Sequence, residues 1–248
     1  MKLTNYLKRC YNKAKRFLKK LFNQHKISFK CNFKWFGNEY GGFYICPELV
    51  NLSGKNEVIV YSAGVGGDIS FDIDIIKEFN NCKVFAFDPT PKSIEWIKKQ
   101  NLPENYKFFP IGIGIISKEE KMYLPKNTEY VSGSIYQFDH LSMQKSINVQ
   151  MKSFDDIIKE NGHKYIDIIK MDIEGSEFSV IENLNFNEII CGQIVVEFHE
   201  RFFNNGDKLL TKTINILKNN GYYCFAISRS NEEYSFINKE YYEKNIMS

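Results

Sequence analysis

Apolar and polar positions along the chain predict buried strands, each followed by an amphipathic helix, from residue 58 onward. Continuous apolar runs of strand length lead into a turn and then into apolar residues at helical spacing. Strand and helix alternate at least five times, which predicts a mainly parallel, doubly wound sheet of the α/β class. The predicted parallel strands span residues 58–63, 83–87, 107–111, 166–171 and 193–198.

Three segments outside this alternation have patterns of their own. Residues 222–228 and 233–237 predict an antiparallel hairpin that closes the chain. Residues 27–52 alternate aromatic and polar side chains around three glycines, which predicts a strand or hairpin before the main domain. Residues 116–152 are polar and irregular, so we predict only a short hairpin and a flexible segment near the site there.

The amino-terminal residues predict a basic amphipathic helix at 1–26, ahead of a single domain at 27–248. Residues 1–38 hold eleven Lys or Arg and no acidic residue, which leaves 22 basic against 30 acidic residues in the rest of the chain. The apolar stripe of residues 1–24 favours either peripheral contact with an anionic membrane or docking on the acidic domain or a second subunit. Because the basic excess is confined to this arm, we expect no nucleic-acid partner.

Composition places the chain among ordinary globular proteins. Its 248 residues are 43% hydrophobic and 25% charged, and no apolar run reaches the ~18 residues of a membrane span. The six cysteines are scattered without metal-binding spacing, which predicts free thiols in a reducing compartment. With no secretory signal, we expect a cytoplasmic protein, peripheral at the membrane if its first helix binds lipid.

Two predicted strand ends carry residues suited to a nucleoside ligand. The first strand runs into GVGGD at 64–68, where glycines permit a tight turn and the following helix offers N–H donors. This is not a full dinucleotide fingerprint, because the third glycine would fall at Ile69. The second strand ends at Asp88, 24 residues after Gly64, where an acidic residue in such folds holds a ribose diol.

The strand at 166–171 ends in a cluster of charges. Strand alternation places Lys170, Asp172 and Glu174 on one side, at the sheet edge where ligands bind. Such charges on an apolar strand are costly unless they pair or serve a site. The alternative is a structural ion pair at a helix start, with Glu174 and Glu177 favoured by the helix dipole. The position of these charges at the sheet edge favours a functional site over a structural ion pair.

The stretch DIIKMDIEGSE at 167–177 resembles the D-x-x-K-x-D-x-E-G-x-E element of the FkbM-type methyltransferases. FDPTP at 87–91 and VVEFHE at 195–200 agree with it, and the similarity covers roughly residues 41–237. The resemblance implies a Rossmann-like, seven-stranded sheet of the class I methyltransferases. It also implies S-adenosyl-L-methionine as cofactor and a small-molecule or glycan substrate, because family members mostly O-methylate sugars and other hydroxylated metabolites.

The resemblance assigns cofactor contacts to individual residues. Asp88 is expected to bind the ribose, and Asp172 to lie beside the reactive sulfonium. Many family members carry an acidic residue where this chain has Ser62, and Asp68 is expected to compensate. The methionine end of the cofactor is assigned to Ser62, Gly64 and Gly66.

Methyl transfer to a hydroxyl requires a positioned acceptor oxygen and a proton acceptor. His199 is the first candidate base, with Glu197 on the same strand face expected to orient its ring; the alternative is a structural histidine. Lys170 either neutralises the carboxylates or acts on the substrate. The side chains also suit Mg²⁺ or Mn²⁺, but the predicted site contains no metal. The predicted catalytic residues are His199, Asp172, Glu174 and Lys170.

Two other functions compete with sugar O-methylation. The basic helix suggests a lipid or nucleic-acid acceptor, although the N-P-P-Y-type strand end of base-directed N-methyltransferases is absent. The chain could also be a catalytically silent cofactor-fold module recruited to membranes or partners. The presence of Asp88, Asp172 and His199 argues against a silent module.

Overall fold

A computed structural model of the chain describes residues 26–50, 52, 57–127 and 129–247. The predicted helix at 1–24 lies outside the described residues. Twelve strands are found within them: β1 (Lys34–Phe36), β2 (Phe43–Ile45), β3 (Val58–Ala63), β4 (Cys82–Phe87), β5 (Tyr106–Phe109), β6 (Gly112–Ile113), β7 (Lys118–Pro125), β8 (Leu141–Lys152), β9 (Ile166–Met171), β10 (Cys191–Glu197), β11 (Tyr222–Ile227) and β12 (Glu233–Asn238).

The helices within the same residues are mostly short, and a single 3₁₀ turn at Glu200–Phe202 follows β10. In the described part of the chain, no helix is both long and apolar enough to cross a bilayer. The α-helices are α1 (Pro47–Val50), α2 (Ser70–Glu78), α3 (Pro91–Ile97), α4 (Phe154–Asn161), α5 (Glu177–Glu182), α6 (Gly206–Asn219) and α7 (Lys239–Ile246).

A seven-stranded sheet in the order β11-β12-β10-β9-β3-β4-β5 forms the centre of the fold. The strands β10, β9, β3, β4 and β5 are parallel, and β12 runs antiparallel to both of its neighbours. This confirms the predicted mainly parallel sheet with a terminal hairpin. The carboxyl ends of the parallel strands therefore meet at one edge, where ligands bind in such sheets.

Helices cover both faces of the sheet, as a doubly wound fold requires. On one face, Tyr61 of β3 packs in a core with apolar residues of α4, α5 and α6. On the other, Val60 of the same strand packs with residues of α2, α3 and the β1–β2 hairpin. Every residue of β3 and β9 is buried, because these strands are central and covered on both sides.

The predicted amino-terminal hairpin forms and lies over the start of α2. The backbone N–H of Gly37 donates to the Asp74 carboxylate at 3.0 Å, and that of Asn38 donates to the Ser70 hydroxyl at 2.9 Å. Further along, the N–H of Cys46 donates to the Gln193 side chain at 2.7 Å. The hairpin and the residue after it are thereby fixed to α2 and to β10.

Two segments differ from the sequence-based prediction. Residues 116–152 were predicted to form only a short hairpin and a flexible segment, and this prediction was wrong. The strands β7 and β8 are long and antiparallel, and they join β6 in a separate three-stranded sheet. Met122, Val149 and Met151 form a small buried cluster on one face, which stabilises these otherwise polar strands. The terminal hairpin was also expected to end the chain, but α7 follows it and is capped by the Asn238 side chain.

The cysteines within the described residues are free thiols, as predicted. Cys10 lies outside those residues. The free thiols are those of Cys31, Cys46, Cys82, Cys191 and Cys224.

Candidate active site

The glycine turn after β3 packs directly on the end of β9. Gly64 has φ +84°, and a Cβ at this position would stand 1.7 Å from the carbonyl oxygen of Asp172. The Asp172 N–H in turn donates to the Ala63 carbonyl at 3.0 Å. A side chain at residue 64 is therefore excluded by both backbone conformation and space.

Asp88 fixes this turn from the end of β4. Its Oδ2 accepts from the backbone N–H groups of Val65 and Gly66 at 3.0 and 2.8 Å, and from the Ser93 hydroxyl at 3.0 Å. Its Oδ1 accepts from the N–H and hydroxyl of Thr90 at 2.8 and 2.7 Å. A carboxylate has about four acceptor sites, so all of them are in use. The predicted ribose contact of Asp88 stays a prediction and requires some of these donors to be exchanged.

A cavity opens beside the glycine turn at the carboxyl edge of the sheet. Part of its wall is residues 131–135, from the β7–β8 connection, where the Ser134 hydroxyl donates to the Glu174 carbonyl at 2.7 Å. The cavity combines an apolar surface with two carboxylates from the end of β9. Its lining includes Gly64, Gly66, Phe87, Asp88, Ile113, Met122, Met151, Asp172 and Glu174.

Four carboxylates surround the His199 ring, which is only 1% exposed. Its Nε2 lies 3.4 Å from Glu174 Oε2, 3.4 Å from Glu197 Oε1 and 3.8 Å from Asp172 Oδ1. Its Nδ1 lies 2.8 Å from Glu177 Oε1. Asp172 and Glu174 also line the cavity, so the two carboxylates connect it to the histidine. We call His199, Asp172, Glu174 and Glu197 the histidine cluster.

Glu177 orients the histidine, a role that the sequence had assigned to Glu197. The Glu177 side chain is fully buried and accepts backbone N–H bonds from Ile173 and Gly175, each at 3.0 Å. Because an ionised carboxylate only accepts, Nδ1 of His199 carries the proton of their hydrogen bond. The predicted orienting role of Glu197 was therefore wrong, since Glu197 faces Nε2. Glu177 was visible as the last acidic residue of the 167–177 element.

Burial and charge oppose each other in the histidine cluster. Burial alone would lower the pKa of His199, but the charge and hydrogen bond of Glu177, with Asp172 and Glu174, raise it to about 10. Burial, with the charge of Asp172, raises the pKa of Glu197 to about 8. Burial also raises the pKa of Glu174, against the charge of His199. All three groups therefore hold a proton more readily than they would in water.

Lys170 does not join the histidine cluster. Its ammonium donates to the carbonyl oxygen of Gly64 and lies 5.9 Å from the centroid of the Phe43 ring. Burial raises the pKa of Asp72 in α2 to about 6, and the charge of Lys170 opposes that rise. The Lys170 side chain is 6% exposed and supports the glycine turn, and its predicted catalytic role stays a prediction.

Ser62 and Asp68 are absent from the lining of the cavity. Ser62 is buried within β3, with its hydroxyl beside Asp72. Asp68 accepts from the Ser70 N–H at 3.0 Å and from the Asn38 side chain at 2.8 Å, so it anchors the start of α2 and the hairpin. The predicted contacts of Ser62 and Asp68 with the cofactor stay predictions.

The fold and the site together define a Rossmann-like protein with a cavity at the carboxyl edge of its sheet, beside an acid–histidine cluster. The family model described as "Methyltransferase FkbM domain" matches residues 57–224, which is more than half of the chain. The chain therefore belongs to the FkbM methyltransferase family, as its resemblance at 167–177 had indicated.

Curated relatives and a solved structure extend the comparison. The chain is similar to "Probable methyltransferase-like protein 24" of Homo sapiens, with 27% identity over 143 residues, and of Rattus norvegicus, with 24% over 143 residues. Each match covers 56% of this chain and 32% of the relative, so the chain spans about a third of their length. The Methanococcus jannaschii fibrillarin pre-rRNA processing protein is similar at 12% identity and TM-score 0.43, covering 84% of this chain and 83% of that one.

Proposed function

We propose that the chain transfers a methyl group from S-adenosyl-L-methionine to a hydroxyl of a sugar or glycan-type acceptor. One observation carries this proposal. Asp172 and Glu174 form a wall of the cavity beside the glycine turn and at the same time face the buried His199. A methyl donor in the cavity and a proton acceptor in the histidine cluster would thus be neighbours. Membership of the methyltransferase family supports the reaction class.

The residues around the cavity fit the cofactor. A Cβ built at Gly66 has no atom within 4 Å, so the glycine turn leaves its backbone open to a ligand. Phe87 and Met151 offer apolar surface for a nucleobase, and the Asp172 carboxylate lies where a cation is favoured. When bound, S-adenosylmethionine supplies an electrophilic methyl group on a sulfonium.

The protein positions the acceptor and removes its proton. Hydroxyl groups of a sugar donate hydrogen bonds, and the carboxylates of Asp172, Glu174 and Glu197 accept them. In this reaction the acceptor oxygen would form the O–CH₃ bond as the S–CH₃ bond breaks with its electron pair left on sulfur, and the residues of the histidine cluster would accept the hydroxyl proton. Holding these groups in line is the main source of the rate increase.

Calorimetry with S-adenosylmethionine is the first test. We expect binding, whereas no heat of binding at tens of micromolar would refute the methyltransferase proposal. Transfer of a radiolabelled methyl group to a panel of free sugars and oligosaccharides, lipids and nucleic acids then tests the acceptor. Labelling confined to lipid or nucleic acid would refute the sugar assignment.

His199→Ala tests the histidine cluster in the same assay. We expect it to lose most turnover while it retains cofactor binding, because His199 does not line the cavity. His163→Ala is the matched control, since His163 precedes β9 at the opposite edge of the sheet and bonds the Tyr61 hydroxyl at 2.7 Å. Full turnover by His199→Ala would exclude His199 from proton transfer.

A further inference from the structure

We propose that the histidine cluster binds a divalent cation of the Mg²⁺/Mn²⁺ class, with Asp172, Glu174 and His199 as its protein ligands. The inference deepens the proposed function by giving the acceptor end of the site a metal. It stands on the positions of three donor atoms, two from residues that follow β9 and one from the residue that follows β10 by two positions. Glu197 Oε1 lies beside them but already pairs with Arg201 at 3.1 Å.

The spacing of the donor atoms fits a shared ion. Donors at about 2.1 Å from one ion are separated by roughly 3.0–3.4 Å at octahedral or tetrahedral angles. Nε2 of His199 lies 3.4 Å from both Glu174 Oε2 and Glu197 Oε1, and 3.8 Å from Asp172 Oδ1. The donor atoms of Asp172, Glu174 and His199 all lie within 4.8 Å of one another. Small side-chain rotations therefore bring them to a common centre.

The orientation of His199 is a second, independent observation. The side chain is buried, and its single hydrogen bond among the described residues is from Nδ1 to Glu177. Nε2 points among three carboxylates without an aligned hydrogen bond. A ligating histidine commonly holds its other ring nitrogen on a carboxylate in this way, which fixes the tautomer and directs the free nitrogen to the metal. Glu177 is itself held by the N–H groups of Ile173 and Gly175.

A neighbouring acidic group lacks these features. Glu197, Glu232 and Glu233 also place carboxylate oxygens close together. However, Arg201 already pairs with Glu197 at 3.1 Å and with Glu232 at 3.5 Å. The Glu233 carboxylate is bonded by the hydroxyls of Ser228 and Ser230. The carboxylates of this second group are therefore already stabilised by Arg201 and by hydroxyl groups, so a cation would stabilise them less than it would stabilise Asp172 and Glu174 beside His199.

The donor set selects the kind of ion. Two carboxylates with one imidazole suit Mn²⁺, which accepts both ligand types, and carboxylates with water suit Mg²⁺. A bound ion would replace the positive charge of the histidine and stabilise the buried carboxylates. It would also lower the pKa of a coordinated acceptor hydroxyl, so that methyl transfer would depend on the metal.

Direct binding of Mn²⁺ to the full chain tests the proposal without any acceptor. Protein freed of metal by chelation is titrated with MnCl₂ by calorimetry, and bound Mn²⁺ is examined by pulsed electron paramagnetic resonance. We expect one ion per chain and coupling to a ring nitrogen. Glu174→Gln and His199→Ala should each weaken binding at least about tenfold, and His199→Ala should abolish the nitrogen coupling. Glu232→Gln makes the same charge change outside the ligand set and should bind as the unmodified chain does.

Three outcomes would overturn the metal site: no binding of Mn²⁺, binding unchanged in Glu174→Gln, or binding lost in Glu232→Gln alone. Thermal unfolding of each variant shows whether it folds, and Glu174→Gln decides the matter if His199→Ala does not. Binding of S-adenosylmethionine is measured separately. Cofactor binding without Mn²⁺ binding would refute only the metal, and Mn²⁺ binding without cofactor binding would refute only the proposed methyl transfer.

Discussion

Glu177→Gln removes one negative charge from the fully buried side chain that holds both the turn after β9 and the histidine. The glutamine keeps the size and one acceptor oxygen of the glutamate. In the Oε1 position, that oxygen still faces the N–H of Ile173 at 3.0 Å and Nδ1 of His199 at 2.8 Å. The amide group then faces the N–H of Gly175, which lies 3.0 Å from Oε2. The glutamine NH₂ group and the Gly175 N–H, both hydrogen-bond donors, would thus face each other in a buried position.

The expected loss of stability follows from these contacts. Hydrogen bonds to a charged group contribute about 1.5–3 kcal/mol, against about 0.5–1.5 kcal/mol for neutral ones. Loss of charge at two bonds, together with poorer bonding of Gly175, gives a decrease of roughly 2–4 kcal/mol in the free energy of unfolding. For a domain of this size, that corresponds to a fall of roughly 5–15 °C in the melting temperature.

Thermal unfolding followed by circular dichroism measures the effect of Glu177→Gln. Glu182→Gln is the matched control, because Glu182 belongs to the same helix but is exposed and paired with Lys212 at the surface. Such a pair contributes about 0–1 kcal/mol, so the control should melt within a few degrees of the unmodified chain. Equal melting temperatures for Glu177→Gln and Glu182→Gln would refute the role of Glu177 in holding the turn after β9 and the His199 ring.

Three further predictions concern the glycine turn and its supports. Gly64→Ala should abolish cofactor binding and destabilise the fold by at least about 3 kcal/mol, because its Cβ would meet the Asp172 carbonyl oxygen. In the control Gly67→Ala, the new Cβ has no atom within 4 Å, so cofactor binding by calorimetry and the melting temperature should both stay unchanged. Lys170→Met should cost about 1.5–3 kcal/mol in urea unfolding, since it removes the charged donor to the Gly64 carbonyl and a positive charge that acts on the buried Asp72. Burial raises the folded-state pKa of Asp72 from 3.8 to about 6, so the contribution of Asp72 to stability falls by up to about 3 kcal/mol as the pH rises from 3.8 to above 6. The difference in unfolding free energy between Asp72→Asn and the unmodified chain should change by that amount over the same pH range. A difference that does not depend on pH would contradict this prediction.

The sequence predicted the strands of the sheet and the position of the acidic strand end correctly, because local pattern determines both. Continuous apolar runs located the parallel strands to within a few residues, and the element at 167–177 located the acidic strand end. Strand alternation also brought Glu197 and His199 together. These features depend on neighbours in the sequence, so they can be inferred without knowing how distant segments pack.

Side-chain partners across the fold could not be inferred in this way. Alternation places Lys170 and Asp172 on the same side of a strand but does not show that Lys170 ends on the Gly64 carbonyl. The choice of Glu177 over Glu197 as the partner of Nδ1 depends on how a helix start meets the end of β10. The extent of β7 and β8 was missed because their buried side is formed by a few methionines and valines among polar residues.

The spacing within residues 167–177 has a physical reason once each contact is known. Asp167 accepts the Ile59 N–H at 2.8 Å and so helps to fix the register between β9 and β3. Lys170 then reaches the Gly64 carbonyl, and Glu177 reaches His199. A single strand and turn therefore connects the glycine turn beside the cavity to the histidine cluster.

Both ends of the 167–177 element are fixed by side-chain hydrogen bonds, Lys170 to the Gly64 carbonyl and Glu177 to His199. Between its two ends, Glu174 has φ +52° and Gly175 φ +98°, which turns the chain sharply so that Asp172 and Glu174 face both the cavity and His199. A residue inserted between Lys170 and Glu177 would move one end relative to the other, because both ends are held by buried hydrogen bonds. Such an insertion should therefore impair cofactor binding and the histidine cluster together, whereas separate sites would be impaired one at a time.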